Sequence, residues 1–134
     1  MKFGTTLDIS AAALSAQNSR LQVIAQNLAN ADSTSSTPGG NPYQRKTIAF
    51  QDVYSQAAGT NVVQVAAISR DKAPFPMKYD PSNPAANAQG YVKMPNVNSL
   101  VELMDMQQAQ RSYDANLSVM NATRGMMTRT LGLI

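Results

Sequence analysis

The 134-residue sequence predicts a mainly α fold with a small β insert: long N- and C-terminal helices packing as a coiled-coil-like pair, with a short β-rich middle segment between them. Three observations predict it. Leucines recur every seven residues near the start, at Leu7, Leu14, Leu21 and Leu28. An unbroken 3,4 alternation of mostly apolar residues runs through the C-terminal segment. The residues between these segments are rich in Gly, Pro and β-branched side chains.

The first helix is expected from Leu7 to Ala31, within an N-terminal assembly segment of residues 1–31. Nothing between Thr5 and Ala31 is Gly or Pro, and Ile24, Ala11 and Ala25 accompany the leucines. Ser10, Gln17 and Asn18 make the seam polar in places. Seven-residue spacing held this long suggests a helix that meets other helices. Residues 32–96 read as a loop and a small β-rich insert. Asp32 to Pro42 is almost all Ser, Thr, Gly, Asn and Pro, which means loop. Thr47–Tyr54 and Val62–Ser69 read as strands joined by a turn over Ala57–Asn61. Ala73–Asn87 carries Pro74, Pro76, Pro81 and Pro84 and reads as extended or turning chain, with Gly90–Met94 as one more short strand.

Residues 97–134 are expected to be the second assembly helix, the three segments together making one structural unit. The stripe runs Leu103, Met106, Gln110, Tyr113, Leu117, Met120, Arg124, Met127, Leu131, Ile134. The helix should begin near Asn98 or Ser99, with Glu102 in capping-box spacing from Ser99. At 1.5 Å per residue this is roughly 50 Å of helix, too long for a small core to cover alone. Such helices lack cover in isolation, so the termini are expected to be substantially disordered in the free monomer. Methionines on and beside the stripe suit contacts with several non-identical neighbours.

Composition narrows the function. Charged residues are 14% of the chain, well under the roughly 25% usual in soluble domains. Uncharged Asn, Gln, Ser and Thr take their place, and such a surface meets a neighbour without burying much charge. The net charge of +3 is spread along the chain with no basic stripe, which argues against nucleic acid. With no Cys and no His, thiol and imidazole chemistry, disulfides and the common zinc sites are excluded. Glu102 and Asp105 lie in a first helical turn, where acids complement the helix dipole rather than act as an acid–base pair. Thr37-Pro38-Gly39-Gly40 lacks the lysine and spacing of a phosphate loop. No catalytic, metal or cofactor site and no small-molecule substrate is expected. No apolar run approaches the ~20 residues of a membrane span. Gly4, Thr5, Thr6 and Asp8 interrupt any signal-peptide core after Lys2, so export is expected to proceed without a cleavable signal.

Several stretches are recognisable as words. Asn27-Leu28-Ala29-Asn30, followed by Pro42-Tyr43-Gln44-Arg45-Lys46, resembles the N-terminal signature of the bacterial flagellar rod and hook protein family. Tyr79-Asp80-Pro81-Ser82-Asn83-Pro84 and Gly90-Tyr91-Val92-Lys93-Met94-Pro95-Asn96-Val97-Asn98 are similar to the rod members of that family. Arg111-Ser112-Tyr113-Asp114-Ala115-Asn116 is similar to its C-terminal Arg-x-Tyr-x-x-Asn motif. The resemblance covers nearly the whole chain. It implies a structural subunit of the proximal rod of the flagellar basal body, exported by the flagellar type III apparatus and assembled helically in the periplasm. It implies the rod proteins FlgB, FlgF and FlgG, the adaptor FliE and further copies of itself as partners. The expected assembly contacts are Leu14, Leu21, Leu28, Leu117, Met120 and Leu131. Asn27, Asn30 and Asn116 would supply hydrogen bonds, with Arg111 and Tyr113 from the last motif. Arg111 and Arg124 would pair with a neighbour's acids. The rival reading is a soluble helical adaptor or chaperone pairing its heptads with one partner.

Overall fold

The computed structural model describes residues 3–132. In chain order they form helix α1 (Phe3–Ala29), strands β1 (Lys46–Ser55), β2 (Thr60–Arg70), β3 (Met77–Tyr79) and β4 (Tyr91–Lys93), and helix α2 (Ser99–Leu131). The mainly α class and the packing of the two long terminal helices against each other are as expected. Ile134, the end of the C-terminal stripe, lies outside the described residues.

Helix ends are set by side-chain capping. Asn98 Oδ1 accepts from the amides of Leu100 (3.1 Å) and Val101 (3.3 Å), which makes Asn98 the N-cap of α2. Glu102 is therefore free of the capping-box role its spacing suggested. At the end of α1, Asn30 donates through both its backbone amide and its side chain to the carbonyl of Gln26, and Ser33 donates to Asn30 Oδ1.

Among the described residues the strands form two two-stranded sheets, β1–β2 and β3–β4. The β1–β2 hairpin turns at Gly59, whose φ of +64° few side chains tolerate. The Gly59 amide donates to the Ser55 carbonyl and the Ala58 amide to Ser55 Oγ. The β3 strand is not legible in the sequence, because proline lies on both sides of it and the pattern reads as extended chain. It pairs antiparallel with β4, matching Met77 to Lys93 and Tyr79 to Tyr91. The two tyrosine rings meet edge-on at 5.2 Å. Gly90 opens β4 with φ +84°, and a Cβ there would lie 2.9 Å from Tyr79 Cε2 and 3.2 Å from Pro81 Cβ. Gly90→Ala is expected to cost about 2–3 kcal/mol, from left-handed strain and this clash together. Chemical denaturation would measure it, and a loss under about 0.5 kcal/mol would show that the tyrosine pair yields.

The chain divides into two compact units, each drawing on all three segments of the sequence. One unit holds α1 up to Gln22, the hairpin over 48–67 and α2 from Gln107 onward. Its buried side chains are small: Ser10, Ala16, Ala58, Val62, Ala109 and Thr123. The other unit holds 23–47 and 68–106. Its core contains Val23, Ile24, Ala85 and Val92, with the polar side chains of Asn27 and Glu102 buried beside them.

The rotation of the helices differs from the sequence reading. On α2 the residues turned inward are Glu102, Met106, Ala109, Tyr113, Asn116, Met120 and Thr123, all buried or half-buried and spaced 4,3,4,3,4,3. The apolar stripe read from sequence shares Met106, Tyr113 and Met120 with this face. Its other members, Leu103, Leu117, Met127 and Leu131, are exposed. On α1 the buried residues are Ser10, Ala16, Val23, Ile24 and Asn27, with Ala13, Leu14, Gln17, Arg20, Leu21 and Leu28 half-buried around them. On α2 small and polar residues take several inward positions and Leu103, Leu117 and Leu131 fall outside, whereas on α1 Val23 and Ile24 are buried.

Candidate functional site

Two features stand out, a buried polar clasp and an uncovered apolar surface. The clasp lies wholly within the second unit and joins the last turn of α1 to the first turn of α2. Asn27 is 1% exposed, and every hydrogen bond its amide can make is formed. Its Nδ2 donates to the Lys46 carbonyl (2.9 Å) and to Glu102 Oε2 (3.2 Å). Its Oδ1 accepts from the Tyr43 hydroxyl (3.0 Å) and the Lys46 amide (2.9 Å). Asn27, expected to supply hydrogen bonds to an intra- and intersubunit seam, has its side-chain bonds filled within the chain.

Arg45 is pinned as fully. Its Nε donates to Glu102 Oε1, its Nη1 lies 3.4 Å from Asp71 Oδ2 and its Nη2 4.0 Å from Asp105 Oδ2. Its backbone amide donates to Asn96 Oδ1 (2.7 Å), and its carbonyl accepts from the Asp71 amide (2.8 Å). Asn96 in turn donates to the carbonyls of Asp71 and Ala73. One guanidinium therefore gathers three carboxylates, two of them a helical turn apart on α2. Burial works against its charge, but the hydrogen bond and charge of Glu102, with Asp71, outweigh this and raise its pKa above the ordinary value. Glu102 is 1% exposed, and a carboxylate there requires this partner.

Tyr43 is held neutral. Burial first, then the charge of Glu102, push its phenol above the ordinary range, with Arg70 pulling the other way. A raised folded-state value means the neutral phenol stabilises the fold fully below about pH 10, the unfolded tyrosine value. That contribution is lost as pH rises through the folded value. The alkaline unfolding limb is expected to weaken in Tyr43→Phe; an unchanged stability profile above pH 10 would count against it.

The apolar surface is the second feature. On α2, Leu100 (68%), Met104 (63%) and Leu131 (63%) are largely exposed, and Leu103, Leu117, Val119, Met126 and Met127 are exposed with them. The polar residues among these satisfy themselves. Asn116, Ser118, Thr123, Thr128 and Thr130 each donate to a carbonyl four residues back in α2. Asn30 is committed to the end of α1, Arg111 is exposed, and Tyr113 and Met120 are half-buried. In the first unit, Ala12, Ser15, Ala16 and Ser19 of α1 and Val63, Gln64 and Val65 of β2 line a groove of about 390 Å³. Among the described residues no group of three or more metal-ligating acids is present. No helix among them is long and apolar enough to cross a membrane.

Over 94% of its length the chain is 45% identical to the flagellar basal-body rod protein FlgC of Agrobacterium fabrum, spanning 91% of that protein. It is 47% identical to FlgC of Escherichia coli O157:H7 over 94% of this chain and 93% of that one. With FlgC of Bacillus subtilis it shares 40% identity over 94% of each. The chain belongs to the FlgC family of flagellar basal-body rod proteins. A family model described as "Flagellar basal body rod FlgEFG protein C-terminal" also matches residues 88–133. That match takes in Asn96, Glu102 and Asp105 of the clasp together with the exposed face of α2. In this FlgC-family chain the signature words thus divide. Asn27, Tyr43, Arg45 and Asn96 build the clasp, while the Arg111–Asn116 motif lies on α2 beyond it. The sequence assigns Asn27 and Glu102 other roles, an assembly hydrogen bond and a helix-start acid, and assigns Arg45, Asp71 and Asn96 no role of their own. The signal available was a polar Asn27 on the same face as buried Ile24.

Proposed function

We propose that the chain is a structural subunit of the proximal flagellar rod. It assembles helically with its own copies into part of a hollow shaft that transmits torque and passes exported subunits. The carrying observation is that α2 turns Glu102, Ala109, Asn116 and Thr123 inward and leaves Leu100, Leu103, Met104, Leu117, Met127 and Leu131 exposed. Leaving so many large apolar side chains in water is unfavourable unless neighbours cover them. The intersubunit contacts are Leu117 and Leu131 with half-buried Leu14, Leu21 and Leu28, Arg111 at their edge, while Tyr113 and Met120 belong to the intrasubunit side of the seam. Asn30 caps the end of α1 and Asn116 bonds back within α2. Neighbours are the rod proteins FlgB, FlgF and FlgG and the adaptor FliE, and the subunit reaches the periplasm through the flagellar export apparatus. Its role is mechanical, and it carries out no reaction.

Electron microscopy of basal bodies isolated from a flagellated host, with the chain tagged, tests this. Density for the tag at the membrane-proximal end of the rod is expected. Basal bodies with complete rods and no tag would refute it.

A further inference from the structure

The two candidate inward faces of α2 compete. The observed one contains Glu102, Ala109, Asn116 and Thr123, and the more apolar one contains Leu103, Gln110, Leu117 and Arg124. They differ by roughly 50° of rotation about the helix axis, since 3.6 residues make a turn. The hydrophobic effect alone favours turning Leu103 and Leu117 inward. The seam does not choose between them, because its large α2 residues Met106, Tyr113 and Met120 belong to both faces and Ser10, Ala13, Ala16 and Ala109 are small. Resting on the rod-subunit reading, we infer that the Asn27–Arg45–Glu102 clasp is the positioning element that holds the assembly helices in the less apolar register.

Hydrogen bonds do what the seam cannot, because they depend on direction. Rotating α2 by half a residue's step carries Glu102 away from both Asn27 Nδ2 and Arg45 Nε, and takes Asp105 from Arg45 with it. Sliding it by one residue moves these groups by about 1.5 Å, enough to break bonds of ordinary length. Asn27 and Arg45 are in turn fixed to the chain around Lys46, Asp71 and Asn96, so neither can follow. A buried polar residue that fixes register against an apolar alternative has precedent in coiled coils. Each helix is continuous, so fixing its rotation at the clasp fixes which residues face outward along its length. The hydrogen bonds of the clasp lie within the chain, and through them it decides which side chains of the assembly helices face outward.

The test separates positioning from stability. In full-length chain, Arg45→Met with Glu102→Met replaces the pair by apolar residues of similar size. Far-UV circular dichroism is expected to show an unfolding midpoint within a few degrees of the wild type. Expressed in a flagellated host lacking its own copy, the same variant is expected to yield at least tenfold fewer rods in isolated basal bodies. Arg45→Lys provides a second reading: one ammonium keeps the charge but cannot reach three carboxylates, and a folded chain with rods reduced several-fold is expected. Rod yield within twofold of the wild type in either folded variant overturns the inference. Loss of the fold in both variants overturns it as well, leaving the clasp a stability element. Failure of the wild-type chain to build rods would strike the rod assignment instead.

Discussion

Arg45→Ala is expected to destabilise the chain by about 3–5 kcal/mol, the range for removing one partner of a buried ion pair. The cost arises at Glu102, which is 1% exposed and would be left with only the amide of Asn27. At a urea slope of about 2 kcal/mol/M the midpoint should fall by about 2 M. The reciprocal change is gentler. Glu102→Gln leaves Arg45 partly exposed and still facing Asp71 and Asp105, and its cost should be on the order of 1 kcal/mol. The asymmetry is the diagnostic. Equal losses in the two variants would mean that Glu102 is not the charge needing compensation.

Leu117→Asp should abolish rod assembly and motility while the chain still folds. Leu117 is 38% exposed on the outer side of α2, where substitution usually changes stability by about 0.5 kcal/mol. In an assembled contact the same carboxylate would be desolvated without a partner, at several kcal/mol for every copy. Leu21→Asp on α1 should act in the same direction, with a larger stability cost because Leu21 is half-buried. Swimming through soft agar at the wild-type rate by both variants would remove these leucines from the interface.

Much of this architecture is legible in the sequence, and the reasons for the rest are physical. The helices can be read because Thr5–Ala31 and Asn96–Ile134 lack proline and carry long-period apolar spacing. The β1–β2 hairpin can be read from its β-branched runs around a Gly-containing turn. Helix rotation cannot. Periodicity finds the apolar stripe, but it does not say whether Leu103 and Leu117 face the chain's own core or a neighbour. The clasp is harder still, because Arg45 and Glu102 stand 57 positions apart. Neither is unusual where it sits, one after a loop and one in a first helical turn where acids are ordinary. Only the fold brings them together. Asn27 can be found from sequence, but its four bonds are closed by Lys46, Tyr43 and Glu102 rather than by another subunit.

The hydroxyls and amides of α2 that bond back to their own helix bear on how a shaft made of such helices responds to its surroundings. The hydrocarbon share of contacts between them would offer dissolved ions nothing to screen, and the salt-sensitive share would fall to exposed Arg111, Asp114, Arg124 and Arg129. In the clasp, Arg45 pairs with the buried carboxylate of Glu102. The hydrocarbon share of such a joint escapes screening from dilute medium to brine, and only its charged edge would need retuning.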